Sequence, residues 1–278
     1  MSFIVSFGGG VTSYEALRRT IVKHGRENTV AVFADVGQVR DGQGRVVCGE
    51  DEDLHRFMSE VEDLLKVPIQ RVKHPEYTDI WDVFFKRRMM GNTRMDPCSA
   101  VLKRELLDDW RDARYMPLGD TLVVGLDWTE PDRCRDFAKA VDPWPTWFPL
   151  NEPPFVTKSH LCDSLRLEGI EPPRLYDLGF SHNNCGGFCV KMGHEQAYRL
   201  WLKLPHVFDY HARREDEFRA FVGQDVSILR DRRAGGKLVM TLRELAKRFE
   251  AGYRPKKRMG EGCGGACMMP PKKLEVLA

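Results

Sequence analysis

Three consecutive glycines at the end of a short apolar run constrain this chain more than any other feature. Phe3-Ile4-Val5-Ser6-Phe7 reads as a buried strand, and Ser13 to His24 reads as a helix. Between them lies Ser6-Phe7-Gly8-Gly9-Gly10-Val11-Thr12-Ser13. Glycines permit positive φ and close approach of the backbone. A helix start offers amides with no internal partner and the positive end of the helix dipole. Ser6, Thr12 and Ser13 add hydroxyls. A turn of this composition is built to hold an anion at the carboxyl end of a strand. Its glycine spacing is not that of the dinucleotide fingerprint, and no Gly-Lys-Ser/Thr follows as in a Walker loop.

The elements after the turn alternate. Thr29 to Asp35 is a second strand rich in β-branched residues. Leu54, Phe57, Met58, Val61, Leu64 and Leu65 recur at helical spacing, and Ile69 to Val72 is a short strand. Ser99 to Arg111 reads as a helix, and Leu122 to Leu126 as a buried strand. The order predicts an α/β fold, a parallel sheet of about five strands with helices on both faces. After Pro143 prolines break the pattern. Helices are expected over Lys158 to Leu167, Gly193 to Leu202 and Val207 to Phe221, with a last one opened by the Thr241–Glu244 capping box. We divide the chain into a nucleotide-binding α/β region over 1–190 and a helical region with a cysteine-rich tail over 191–278.

A net charge of +2 exerts no strong pull toward nucleic acid or membrane, although Arg254, Lys256, Lys257 and Arg258 cluster late in the chain. No apolar run approaches the ~20 residues needed to span a bilayer, and the first residues lack the basic start of a signal peptide. A cytoplasmic location is the expectation. In a reducing compartment, 8 cysteines point to metal or redox chemistry before disulfides. Cys185-Gly-Gly-Phe-Cys189 and Cys263-Gly-Gly-Ala-Cys267 share one pattern, whose glycines let two sulfurs face one point. Four thiolates suit a tetrahedral zinc or an iron–sulfur cluster. Cys48, Cys134 and Cys162 read as structural.

Five segments, in order, resemble the PP-loop superfamily of adenine nucleotide α-hydrolases, in the branch of phosphoadenosine phosphosulfate (PAPS) reductase-like proteins. The glycine turn is similar to Ser-Gly-Gly-x-Asp-Ser, matched at Gly9, Gly10 and Ser13, with Gly8 and Thr12 replacing the first Ser and the Asp. Phe33-Ala-Asp-Val-Gly37 resembles Phe-x-Asp-Thr-Gly. Cys98 with Lys103 resembles Cys-x4-Lys. The segment from Gly125 to Arg133 resembles Gly-x-Arg-x-x-Glu-Ser-x-x-Arg, with Asp127 where Arg is usual. Leu175 to Ser181, followed by Cys185, resembles Leu-Tyr-Asp-x-Gly-Tyr before a cysteine pair.

The resemblance implies a Rossmann-like fold of the HUP type. It implies a nucleotide held by Ser6, Phe7, Gly8, Gly9, Gly10, Thr12, Ser13, Asp35, Gly125 and Arg133, with Lys103 in a catalytic role. It also implies an iron–sulfur cluster on Cys98, Cys185 and Cys189, the fourth ligand coming from Cys267 or Cys263. Glu261-Gly-Cys263-Gly is similar to the reductases' tail segment, which makes Cys263 a candidate nucleophile. ATP with Mg²⁺ is the expected substrate of an adenylating enzyme, most naturally one that inserts sulfur into a nucleic-acid base with a thiol or persulfide donor. A reductase acting on an adenylated sulfate, and a metal-stabilised nucleic-acid-binding module, are the alternatives.

Overall fold

The computed structural model describes residues 1–92, 94–231 and 238–255. Its central sheet is parallel and five-stranded, in the order β5-β2-β1-β6-β7. The strands are β1 (Phe3–Ser6), β2 (Thr29–Asp35), β5 (Ile69–Lys73), β6 (Thr121–Val124) and β7 (Thr146–Trp147). Helices surround the sheet, so the protein is α/β as its alternating pattern predicts. Val5 pairs with Ala31 on one side and Val123 on the other, and all three are fully buried. The chain leaves β1 first toward β2 and later returns to β6 on the opposite side. The loops after β1 and β6 therefore diverge at a switch point, where open parallel sheets place ligand crevices.

Helix α1 (Val11–His24) lies on one face, with Val11, Tyr14 and Leu17 in the core. Beside it lies α2 (Glu52–Leu65), which presents Leu54, Phe57, Met58 and Val61 to the same core. Asp51 caps α2 by accepting from the Asp53 amide. Helices α5 (Leu106–Asp112) and α6 (Pro131–Ala140) belong to the other face, where Trp110 packs with Ile4, Val32 and Leu122. Between them a cavity is lined by Ser6, Arg104, Phe137 and the undersides of the strands. Trp144 is buried under the Arg111 guanidinium, and Trp147 packs edge-on to His24.

Two features depart from the pattern read in the sequence. The hairpin β3 (Gln38–Arg40) and β4 (Val46–Gly49) rises from the end of β2. Helix α3 (Ile80–Arg87) is followed by α4 (Pro97–Ser99), and then Ala100–Glu105 winds as a π-helix before α5 begins. The single regular helix expected from Ser99 to Arg111 is therefore interrupted at its start. Val101, Leu102 and Lys103 on this i→i+5 turn are all buried.

The later part of the chain carries α7 (Lys158–Leu167), capped by Thr157, then α8 (His194–Lys203) and α9 (Pro205–Val222). The hairpin β8 (Leu229–Asp231) and β9 (Leu238–Met240) and α10 (Leu242–Glu250) follow. Thr241 caps α10 by accepting from the Glu244 amide. Helices α8 to α10 share one apolar core with Cys48, Trp81, Phe84 and Phe188. No helix among the described residues is long and apolar enough to cross a membrane.

Candidate functional site

The glycine turn sits at the switch point with one open side. Gly9 has φ +74°, and a Cβ there would lie 2.6 Å from Leu54 Cδ1. A Cβ on Gly10 would lie 2.8 Å from the Tyr176 hydroxyl. Gly8 differs, because a Cβ there meets nothing within 4 Å. Among the described residues the amides of Gly8, Gly9 and Thr12 have no hydrogen-bond partner. The Val11 amide donates to Tyr176 Oη at 3.4 Å. These are the unpaired helix-start donors that favour an anion.

Not every residue expected in this cradle points into it. The Phe7 amide donates to the Val32 carbonyl at 2.8 Å, and its ring lies in the core. Ser13 turns back on the loop, its hydroxyl donating to the Gly10 carbonyl at 2.7 Å. Ser6 lines the cavity on the sheet's other face. Gly125 serves close packing: a Cβ there would lie 2.7 Å from the Thr12 carbonyl oxygen. Arg133, on α6, pairs with Glu130 one turn back. Asp35 ends β2 and accepts from the Gly37 amide at 2.7 Å.

Beyond Asp35 the β3–β4 hairpin folds out and returns. Gly37 and Gly49 meet at its base so closely that a Cβ on Gly49 would lie 1.9 Å from the Gly37 carbonyl oxygen. This return delivers Glu50, a residue our sequence reading did not single out. Glu50 is 1% exposed. Its Oε1 lies 3.3 Å from Lys103 Nζ, and its Oε2 accepts the Cys185 amide at 3.1 Å. Burial pushes the Glu50 carboxyl up, opposed by the Lys103 charge and by both hydrogen bonds. Lys103 is 9% exposed and does not lie on a solvated helix face. The sequence held one signal for this arrangement. Asp41-Gly-Gln-Gly44 between two apolar-containing runs is a hairpin signature.

One cavity is lined by Cys98, Cys185, Cys189, Lys103, Lys191 and Asp96. Cys98, on α4, and Lys103, on the π-helical turn that follows, both face it. Asp96 is buried and bridges to Arg104 at 3.1 Å and to Lys191 at 3.0 Å. Cys185, Gly186 and Gly187 all have positive φ, at 51°, 56° and 85°. A Cβ on Gly186 would lie 2.9 Å from the Gly49 carbonyl oxygen, and one on Gly187 would lie 2.9 Å from Phe180. The paired glycines thus let the cysteine turn press against the hairpin base. A non-glycine residue held in this region carries strain that clusters at functional sites.

The cysteine turn also reaches the glycine loop. Asn183, two residues before Cys185, donates through Nδ2 to the Gly9 carbonyl at 3.2 Å. Its Oδ1 is buried and faces no donor among the described residues. One short segment therefore touches the glycine loop at one end and Glu50 at the other.

Among the described residues no group of three or more His, Cys, Asp or Glu is close enough to hold a single metal ion. Cys263 and Cys267 lie outside the described residues. Cys48 and Cys134 are buried in apolar clusters, and Cys162 packs against a third. No protein-family model matches the chain, and no curated protein matches it.

Proposed function

We propose that the protein adenylates an acceptor with ATP and Mg²⁺ and then lets sulfur replace the adenylate, most readily on a nucleic-acid base. The observation that carries this is the Asn183–Cys185 segment. It hydrogen-bonds the glycine loop through Asn183 and Glu50, the partner of Lys103, through Cys185. A phosphate cradle and a thiol-lined cavity joined by so short a link suit a reaction that activates an atom and then delivers sulfur to it.

The loop's residues fit a polyphosphate. The open side at Gly8 and the unpartnered amides of Gly8, Gly9 and Thr12 supply donors for it. Asp35, at the end of β2, is a carboxylate on the same edge of the sheet as that loop, and it suits a hydrated Mg²⁺. An acceptor oxygen attacks the α-phosphorus, the bond between that phosphorus and the β-bridging oxygen breaks, and pyrophosphate leaves. Amides fixed before the reaction stabilise its charge without reorganising. Sulfur at the hydrosulfide level then attacks the activated carbon, and AMP departs with the original oxygen. Lys103, held by Glu50, carries positive charge toward the developing phosphate charge.

Cys98, Cys185 and Cys189 would hold an iron–sulfur cluster. Three thiols on one cavity wall suit a cluster, which spreads its ligands wider than a single ion does. When bound, the cluster supplies an iron centre able to hold sulfur. The residues themselves position it: the Cys185 amide is anchored on Glu50, and the Cys189 sulfur accepts from the Lys191 amide at 3.4 Å.

The test is product analysis on protein purified without oxygen. Incubation with ATP and Mg²⁺ is expected to give AMP and pyrophosphate, with iron and a visible absorption band in the isolated protein. Sulfite release from an adenylated sulfate, without AMP formation from ATP, would replace this reading with a reductase.

A further inference from the structure

The end of α3 and the chain beyond it carry positive charge that acids do not answer. Lys86, Arg87, Arg88 and Arg94 are all exposed. Among the described residues none of these four forms an ion pair. Many arginines elsewhere are tied to carboxylates, as Arg56 is to Asp53 and Glu60. Here aromatic rings hold the cations instead. Arg88 Cζ lies 4.8 Å from the centre of the Phe221 ring, and Lys86 Nζ lies 4.3 Å from that of Tyr77. A ring steadies a cation without cancelling its charge. The acids on the neighbouring turns are engaged: Glu217 pairs with Arg213 and Arg214, and Asp82 accepts the Thr78 amide. Glu76 meets Lys86 through its backbone carbonyl. The dipole of α3 accounts for cations in its last turn, Lys86 and Arg87. It does not account for Arg94, well past the helix. Arg88 stands at φ +49°, a conformation that favours glycine.

This positive run borders the cysteine cavity. Gly91, three residues after Arg88, packs so closely on Val190 that a Cβ there would lie 3.0 Å from its Cγ2. Val190 lines the cavity beside Cys189. Arg94 is two residues from Asp96, which also lines it. Two residues of chain span at most about 7 Å. Asn92 closes the turn between these points. Its amide donates to the Met95 carbonyl at 2.7 Å, and its Oδ1 accepts the Arg94 amide at 2.9 Å. Lys191 adds a cation on the cavity wall, bridged to Asp96 at 3.0 Å. The charge therefore runs along the surface to the edge of the cavity that Cys98, Cys185 and Cys189 line.

We infer that Lys86, Arg87, Arg88 and Arg94 bind the phosphate backbone of a nucleic-acid strand and bring it to the edge of the cysteine cavity. This rests on the adenylation reading for its purpose, since it delivers the polymer whose base that chemistry would modify. A guanidinium fork matches a phosphate in shape and charge. Cations left uncompensated by the protein gain most from a polyanion, because each phosphate they neutralise releases a counterion. Contacts of this kind position a strand without reading its sequence. Binding is therefore steeply dependent on salt and indifferent to base composition.

The test uses the full-length protein and a fluorescein-labelled single-stranded RNA of mixed sequence, followed by fluorescence anisotropy over a series of salt concentrations without ATP. Arg88→Gln is expected to weaken binding roughly fivefold at 0.1 M salt and to lower the slope of log affinity against log salt by about 0.7. Arg88→Lys keeps the charge and is expected to keep the slope. Replacing Lys86, Arg87, Arg88 and Arg94 together by Gln is expected to lower the slope by about 3. Lys139→Gln, an exposed cation on α6, is expected to change neither quantity. Circular dichroism establishes that each variant is folded. Affinity and slope unchanged in the fourfold variant, or lowered as much by Lys139→Gln as by Arg88→Gln, would overturn the inference. So would phosphatidylglycerol vesicles that bind the protein more tightly than the RNA does, which would assign the patch to a membrane surface. The two readings fail separately. A protein that binds RNA through these four residues but makes no AMP keeps the interface and loses the adenylation chemistry. One that makes AMP but binds no RNA does the reverse.

Discussion

Lys103 Nζ lies 3.3 Å from Glu50 Oε1, and both side chains are buried beside the cavity that Cys98, Cys185 and Cys189 line. A buried ion pair seldom adds net stability, because removing two charges from water offsets their attraction. Breaking one is another matter. Lys103→Met leaves a buried carboxylate without its cation and is expected to cost about 3–5 kcal/mol in urea denaturation. Glu50→Gln in the same background is expected to recover part of that loss. A double variant whose cost equals the sum of the two single costs would show that the pair is not coupled.

Gly8 and Gly9 separate ligand binding from folding. Alanine at Gly8 meets no neighbour, so stability is expected to stay within about 0.5 kcal/mol of the wild type. The added methyl projects into the loop's open side, and ATP affinity by calorimetry is expected to fall. Alanine at Gly9 needs φ +74° and meets Leu54, so the thermal midpoint itself is expected to drop. Unchanged ATP affinity in Gly8→Ala would move the nucleotide away from this loop.

The cysteines divide into two classes. Cys98→Ser, Cys185→Ser and Cys189→Ser are each expected to lower the iron content of anaerobically purified protein, measured by colorimetric assay. Cys162→Ser, on α7 and away from the cavity, is expected to leave it unchanged. Equal iron in all four proteins would remove the cluster from these residues.

Glu215 gives a pH signature. It is fully buried on α9, and it accepts the Ile228 amide through one oxygen and the Leu242 amide through the other. Burial raises its pKa to about 7, despite those two bonds. A carboxyl whose folded pKa exceeds its unfolded value holds its proton more tightly in the folded state. Its contribution to stability is complete below the unfolded pKa and is lost as pH rises through about 7. Between those limits the wild type is expected to lose unfolding free energy relative to Glu215→Gln, measured by urea titration at a series of pH values. Parallel curves for the two proteins would assign the pH dependence elsewhere.

The hydrophobic periods of the chain already specified the sheet and its covering helices. Alternation of apolar strands with amphipathic helices is a local property, and so is the run of glycines between β1 and α1. The cysteine spacing likewise announced a turn that needs glycine. What the sequence by itself left open was which side chains meet. Glu50 stands in an acidic run, Gly-Glu-Asp-Glu-Asp, that reads as solvated surface. Only the β3–β4 hairpin, closing at Gly37 and Gly49, turns it inward to Lys103. The π-helical turn that buries Lys103, and the link from Gly9 through Asn183 to Cys185, depend in the same way on contacts between residues far apart in the chain. Periodicity records which faces avoid water. It does not record which partners those faces find, because that is decided by the packing of the whole.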